Sequence, residues 1–296
     1  MKTSKNISRK DFIKNVSILS SLALVPGFKF ANSPTVMTNP MKLGLVTYLW
    51  GKDWDIPTLI KNLSTAKIYG VELRIEHAHG VTLELSKDER MNVKKRFADS
   101  PIEIVGMGTN QQYDFPDQDK LKQSIETTKE YIKLSHDIGG TGVKVKPNRF
   151  HEGIPHEKTL EQIGKSLNEV GKFAADYGQQ IRLEVHGKGT QQLPNIKTIM
   201  DVADNPNVTV CWNSNNQDLD GKGLEYNFNL LKDRFGDTVH VRELNIGDYP
   251  YQKLMSLFVQ MNYDGYILLE CRTEPEDKVK ALIEQRKVWE KMIANG

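Results

Sequence analysis

Apolar and polar positions along the chain follow two alternating rhythms. Short runs rich in Val, Ile and Leu recur at 42–47, 71–75, 103–108, 142–146, 181–185, 208–212, 239–244 and 265–269. Each has the length of a strand. Between them lie longer stretches whose apolar residues stand three and four apart, at 56–69, 87–98, 117–138, 160–177, 196–203, 224–235 and 251–261, with a last one at 278–293. That spacing predicts helices with one buried face. The punctuation agrees. Pro57 opens the first helix, Asp117 precedes the third, and Gly70, Gly139-Gly140 and Gly178 follow helix ends. Regular alternation of strand and helix predicts an α/β fold with a parallel sheet. Eight units in about 255 residues match a single-domain (β/α)8 barrel, typically about 250 residues long. The competing doubly wound open sheet carries a glycine-rich turn after its first strand. Here Val46-Thr47-Tyr48-Leu49-Trp50-Gly51 follows instead.

The N-terminus breaks this rhythm. Residues 1–17 are basic and polar, 18–28 are apolar, and 29–40 are polar and small. This order is that of an export signal, and the apolar core is too short to span a bilayer. Ser8-Arg9-Lys10-Asp11-Phe12-Ile13-Lys14 resembles the twin-arginine box S-R-R-x-F-L-K, with Lys10 in place of the second arginine. The expected organisation is an export signal over 1–31, a short linker over 32–41 and the barrel over 42–296. The expected location is periplasmic or otherwise exported, with no stable membrane span after the signal is removed.

Charge separates the same two parts. Lys plus Arg number 40 and Asp plus Glu 38, a balance of +2. The first 31 residues hold six bases and one acid, so the remainder carries 34 − 37, or −3. Such a body lacks the basic footprint of a nucleic-acid binder. Two cysteines, Cys211 and Cys271, cannot build a disulfide framework and are expected as buried thiols.

Ligands of such barrels sit at the C-terminal ends of the strands. Side chains alternate along a strand, so residues two apart share a face. In Ile181-Arg182-Leu183-Glu184-Val185-His186 the apolar residues suit the helix-facing side, which turns Arg182, Glu184 and His186 inward. By the same alternation His240 and Arg242 face in. Asn213 lies just past the sixth strand, and Glu270 ends the eighth. Successive strands thus offer Glu184, Asn213, His240 and Glu270 at a similar height. Two carboxylates, an imidazole and an amide oxygen suit a divalent cation such as Mn²⁺, Co²⁺, Mg²⁺ or Zn²⁺.

These segments resemble the xylose-isomerase-like TIM-barrel superfamily, the sugar phosphate isomerase/epimerase group. Arg182-Leu183-Glu184-Val185-His186-Gly187 is similar to its fifth-strand element L-E-x-H-G. His240-Val241-Arg242-Glu243-Leu244 is similar to H-[IV]-x-D-L, with Glu243 in place of Asp. Asp248-Tyr249-Pro250-Tyr251 resembles a Y-P-Y segment before the seventh helix, and Tyr263-Asp264-Gly265-Tyr266-Ile267-Leu268-Leu269-Glu270 resembles the eighth-strand Y-x-G-x-[IL]-x-x-E. The resemblance covers residues 41–289. It implies that Glu184, His240 and Glu270 are metal ligands. It also implies a fourth ligand that is usually Asp, where this chain has Asn213. An amide oxygen brings no formal charge, so metal affinity should fall.

The implied reaction is isomerisation or epimerisation of a free sugar or keto-sugar. The metal polarises a carbonyl, and Glu184 and Glu270 move the neighbouring proton through an enediolate. Alternatives are β-elimination from a keto-glycoside by a lyase or hydrolase, and a carbohydrate-binding barrel without turnover. Expected substrate contacts are Trp50, His79, Lys146, His186, Asn215 and Arg272. Glu72 and Lys144, lying deeper, are expected to form salt bridges in the barrel floor. The expected partner is a small carbohydrate rather than nucleic acid, and a homo-oligomer remains compatible with the sequence.

Overall fold

A computed structural model describes residues 40–296. The expected export signal over 1–31 and most of the expected linker lie outside the described residues. Eight strands alternate with eight helices: β1 (Lys42–Val46), α1 (Ile56–Ala66), β2 (Gly70–Arg74), α2 (Lys87–Ala98), β3 (Glu103–Gln112), α3 (Gln118–Ile138), β4 (Gly142–Lys146), α4 (His156–Ala175), β5 (Gln180–Glu184), α5 (Leu193–Val202), β6 (Val208–Cys211), α6 (Leu224–Leu231), β7 (Thr238–Val241), α7 (Tyr251–Gln260), β8 (Tyr266–Leu269) and α8 (Lys278–Ala294). All strand pairings are parallel, in the order β6-β5-β4-β3-β2-β1-β8-β7. The sheet closes on itself between β6 and β7 by a sparser set of bonds. His240 N donates to Trp212 O at 2.7 Å, Ser214 N donates to His240 O at 3.2 Å, and Asn213 bridges to His240.

The expected (β/α)8 TIM barrel is therefore present, with shifted element ends. α1 stops at Ala66 rather than at 69, because Lys67 adopts a left-handed conformation (φ 56°) and its amide caps Leu63 and Ser64. α4 begins at His156 rather than at 160. Its first turn is exposed, so apolar periodicity starts only at Leu160.

Packing explains the sequence rhythm. Leu45, Leu73, Val143, Val145, Ile181, Leu183, Val239, Val241, Ile267 and Leu269 are fully buried between sheet and helices. Each such side chain contributes about 1.5–3 kcal/mol by leaving water. Inside the barrel, a small apolar plug of Val46, Val105, Tyr266 and Leu268 fills one part of the lumen. The rest is polar: Glu72, Lys144, Arg182, Glu184 and His240 are all buried. Arg182 crosses the floor, donating to Val105 O at 2.6 Å and Thr141 Oγ1 at 2.8 Å and pairing with Asp237 at 3.2 Å. Gly142 makes room for it, since a Cβ there would lie 2.7 Å from the guanidinium carbon.

Candidate active site

Glu184 is the last residue of β5, His240 the third of β7, and Glu270 follows the last residue of β8. One ligand atom from each lies within 4.8 Å of the others, and all three side chains are buried. His240 donates Nε2–H to Glu72 at 3.3 Å, which fixes the ring. Its Nδ1 has no hydrogen-bond partner, yet it faces Glu184 Oε1 at 3.6 Å and Glu270 Oε2 at 3.9 Å. A buried imidazole nitrogen without a partner, aimed between two carboxylates, fits a divalent cation held by all three groups. The carboxylate behind the ring is the usual support of a metal-binding histidine.

Asn213 takes a different part from the one expected. It is 1% exposed, and the side of its amide turned to the centre is the NH2, which donates to Glu184 Oε1 at 2.7 Å. The lone pair of an amide nitrogen is delocalised into its carbonyl and does not coordinate, so in this arrangement Asn213 holds Glu184 instead of a metal. Lys144 is also closer to the chemistry than a floor residue. Its ammonium donates to Glu184 Oε2 at 2.8 Å and to Thr109 O at 3.2 Å. Both Glu184 oxygens are therefore engaged.

The electrostatics separate the two carboxylates. Burial pushes Glu184 up, but the charges of Lys144 and His240 outweigh it and hold the carboxyl well below its usual value. Glu270 is pushed up, first by burial and then by Glu184, with His240 opposing. Burial opposes a charge on His240, and the groups around it overcome that and raise it well above its usual value. The neighbouring Cys211 thiol is pushed up by burial and stays neutral, so we assign the effect to Glu72 and Glu184. Cys211 and Cys271 are both buried free thiols, as expected.

Of the expected substrate contacts, His186, Asn215 and Arg272 line a common cavity of about 270 Å³ at the mouth, joined by Gln217 and Arg242. His186 Nδ1 stands 3.8 Å from Glu184 Oε1, so this cavity adjoins the centre. The Asn215 amide is committed to the backbone, donating to Val185 O and Asn213 O at 2.8 Å each. Lys146 donates to Asn110 Oδ1 at 3.0 Å at the rim.

Two expectations are corrected. Trp50 is 2% exposed and donates to Thr273 O at 2.8 Å, so the turn after β1 folds its ring into the core rather than onto a sugar. His79 is buried with both nitrogens used, on Arg74 O at 2.8 Å and Val81 N at 3.0 Å. Burial pulls its pKa down to about 4, which suits a neutral pin for the loop after β2.

The family model for the xylose isomerase-like TIM barrel matches residues 60–292. No curated protein matches the chain by sequence. Similar solved structures include the 3-keto-D-glucoside 4-epimerase of E. coli, 14% identical with a TM-score of 0.72, covering 85% of this chain and 99% of that one. Another is L-ribulose 3-epimerase, 14% identical with a TM-score of 0.73, covering 86% and 95%. A third is the IolI protein with a bound zinc atom, 14% identical with a TM-score of 0.71, covering 86% and 99%. At this identity the likeness is one of fold.

Proposed function

Because the chain belongs to the xylose isomerase-like TIM barrel family, we propose that it is a divalent-metal-dependent epimerase or isomerase of a free sugar or keto-sugar. The observation that carries this reading is the convergence of Glu184, His240 and Glu270 around the unpartnered Nδ1 of His240. Structures of similar fold that are described as sugar epimerases support it. Glu184, His240 and Glu270 are the residues that would hold the metal. When bound, it polarises the substrate carbonyl next to the proton that is exchanged.

The chain's own groups divide the proton work. Glu270 has no side-chain hydrogen bond to another described residue beyond its approach to His240, and its raised basicity suits it to take a proton at a carboxylate oxygen. Glu184, held ionised by Lys144 and Asn213, can return a proton at the other face once it has taken one from solvent or a substrate hydroxyl. Pairs of carboxylates whose environments push them apart are suited to opposite roles. His186 stands at the entrance, where it can meet a substrate hydroxyl.

The ordered basic, apolar and polar pattern of residues 1–40 supports an exported enzyme. Sugar phosphates are mainly cytoplasmic, so that location favours unphosphorylated substrates. N-terminal sequencing of the protein from separated cell fractions should find a chain starting between about residues 31 and 41 outside the cytoplasm. Full-length protein confined to the cytoplasm would refute export. The reaction itself is tested by incubating purified protein, loaded with Mn²⁺, Co²⁺, Mg²⁺ or Zn²⁺, with free ketoses and 3-keto-glycosides. An epimerised or isomerised sugar is expected. A released aglycone without epimerisation would instead indicate β-elimination.

A further inference from the structure

The polar lumen is built in two tiers related by a step of two residues. The lower tier holds Glu72, Lys144, Glu184, Asn213, His240 and Glu270. Two residues further along the same chain segments stand Arg74, Lys146, His186, Asn215, Arg242 and Arg272. The lower tier mixes acids and bases. Four of the six upper residues are Lys or Arg, and none is an acid.

None of the four cations is held in a close ion pair, although Arg242 acts at longer range on the buried carboxyl of Asp218 and Lys146 feels Glu184 and Glu270. Among the described residues, Arg74, Lys146, Arg242 and Arg272 form no ion pair within 4.0 Å. Arg74 and Lys146 both donate to the neutral amide oxygen of Asn110, at 3.3 and 3.0 Å. Buried Nε of Arg242 has no partner at all. Glu243, the acid next in sequence to Arg242, turns its carboxylate to the backbone amides of Arg272 and Thr273, at 2.9 and 2.7 Å. Of the carboxylates below, Glu184 is engaged with Lys144 and Asn213 and Glu72 with His240.

Arg242 and Arg272 line the cavity beside His186, whose other neighbour is Glu184. A guanidinium presents a planar fork of donors that matches the oxygens of a carboxylate or phosphate. Unpaired like charges gathered in a cleft also focus a field on an incoming anion. We propose that the upper tier is an anion subsite, and that the substrate is an unphosphorylated sugar derivative bearing a carboxylate held by Arg242 and Arg272. This rests on the epimerase or isomerase reading of the centre below, and it names the substrate class of that same site. The anionic group sits at the mouth while the carbonyl reaches down to Glu184 and Glu270.

The test is calorimetric titration of the protein with D-glucuronate, D-glucose 6-phosphate and D-glucose. D-glucuronate should bind about tenfold or more tightly than D-glucose, and added salt should erode the difference. D-glucose 6-phosphate binding more tightly than D-glucuronate would overturn the carboxylate assignment. In Arg242→Gln and Arg272→Gln, with thermal unfolding unchanged, the preference for D-glucuronate over D-glucose should shrink about tenfold. Equal binding of all three probes, binding of none, or a preference that survives both substitutions would overturn the subsite. Binding is read without turnover. A failed subsite therefore leaves the epimerase reading standing, and a failed activity screen leaves the subsite standing.

Discussion

Asn213 donates its side-chain NH2 to Glu184 Oε1 at 2.7 Å, across neighbouring strand ends of the barrel. The position where the family resemblance implies a fourth metal ligand is thus spent on holding another one. Asn213→Asp removes that donor and sets two buried carboxylates against each other, which costs roughly 1–3 kcal/mol in the metal-free protein. The added negative charge also attracts a hard cation. Thermal unfolding with and without Mn²⁺ should show a lower metal-free Tm and a larger rise on metal addition than in the wild type. An unchanged metal-free Tm would mean that the bond to Glu184 contributes nothing.

Lys144 is the second support of Glu184, at 2.8 Å with both side chains almost fully buried. Removing one member of a buried pair leaves the other uncompensated. Lys144→Met should therefore destabilise the fold by roughly 3–5 kcal/mol, measured by urea unfolding. Adding Glu184→Gln should restore part of the loss, because the orphaned charge is then gone. A double variant as unstable as the single one would place the effect in packing rather than in charge.

Much of this was legible in the sequence, and the reason is periodicity. Alternation by two placed Glu184, His186, His240 and Arg242 on the inner face, and the structure has them there. It could not tell how deep or how engaged an inward side chain is. Lys144 read as a floor residue because nothing local shows that its ammonium reaches Glu184, forty residues away in sequence. Trp50 and His79 follow strands at the mouth, where open positions are common. Their inward turns depend on contacts with Thr273 and Arg74, the first of them remote in sequence. Asn213 was recognisable as part of the centre, but which end of an amide faces a carboxylate is set only by the assembled site.

Behind the mouth, Asp218 gives the fold a pH dependence. Its Oδ2 accepts from Tyr249 Oη at 2.6 Å and Asn215 N at 2.9 Å, while Oδ1 is buried without a partner. Burial pushes its pKa up from 3.8 to about 7, against the opposing hydrogen bonds. A raised folded-state value favours the protonated native form. The stability from this group is fully present below the unfolded value near 3.8 and is lost as pH rises through about 7. The shift corresponds to roughly 4 kcal/mol. Asp218→Asn, which cannot ionise, should flatten the stability profile between those limits. An equally steep decline in the variant would assign the dependence to another group.

The most direct measurement is deuterium incorporation from heavy water into the carbon beside the carbonyl of a substrate that the metal-loaded protein converts. Wild type should exchange that proton. Glu270→Gln keeps the shape of the side chain and removes its base, so exchange should fall about 10²–10⁴-fold. Exchange at the wild-type rate in Glu270→Gln, or conversion by the wild type without any solvent deuterium at that carbon, would contradict proton transfer at this centre.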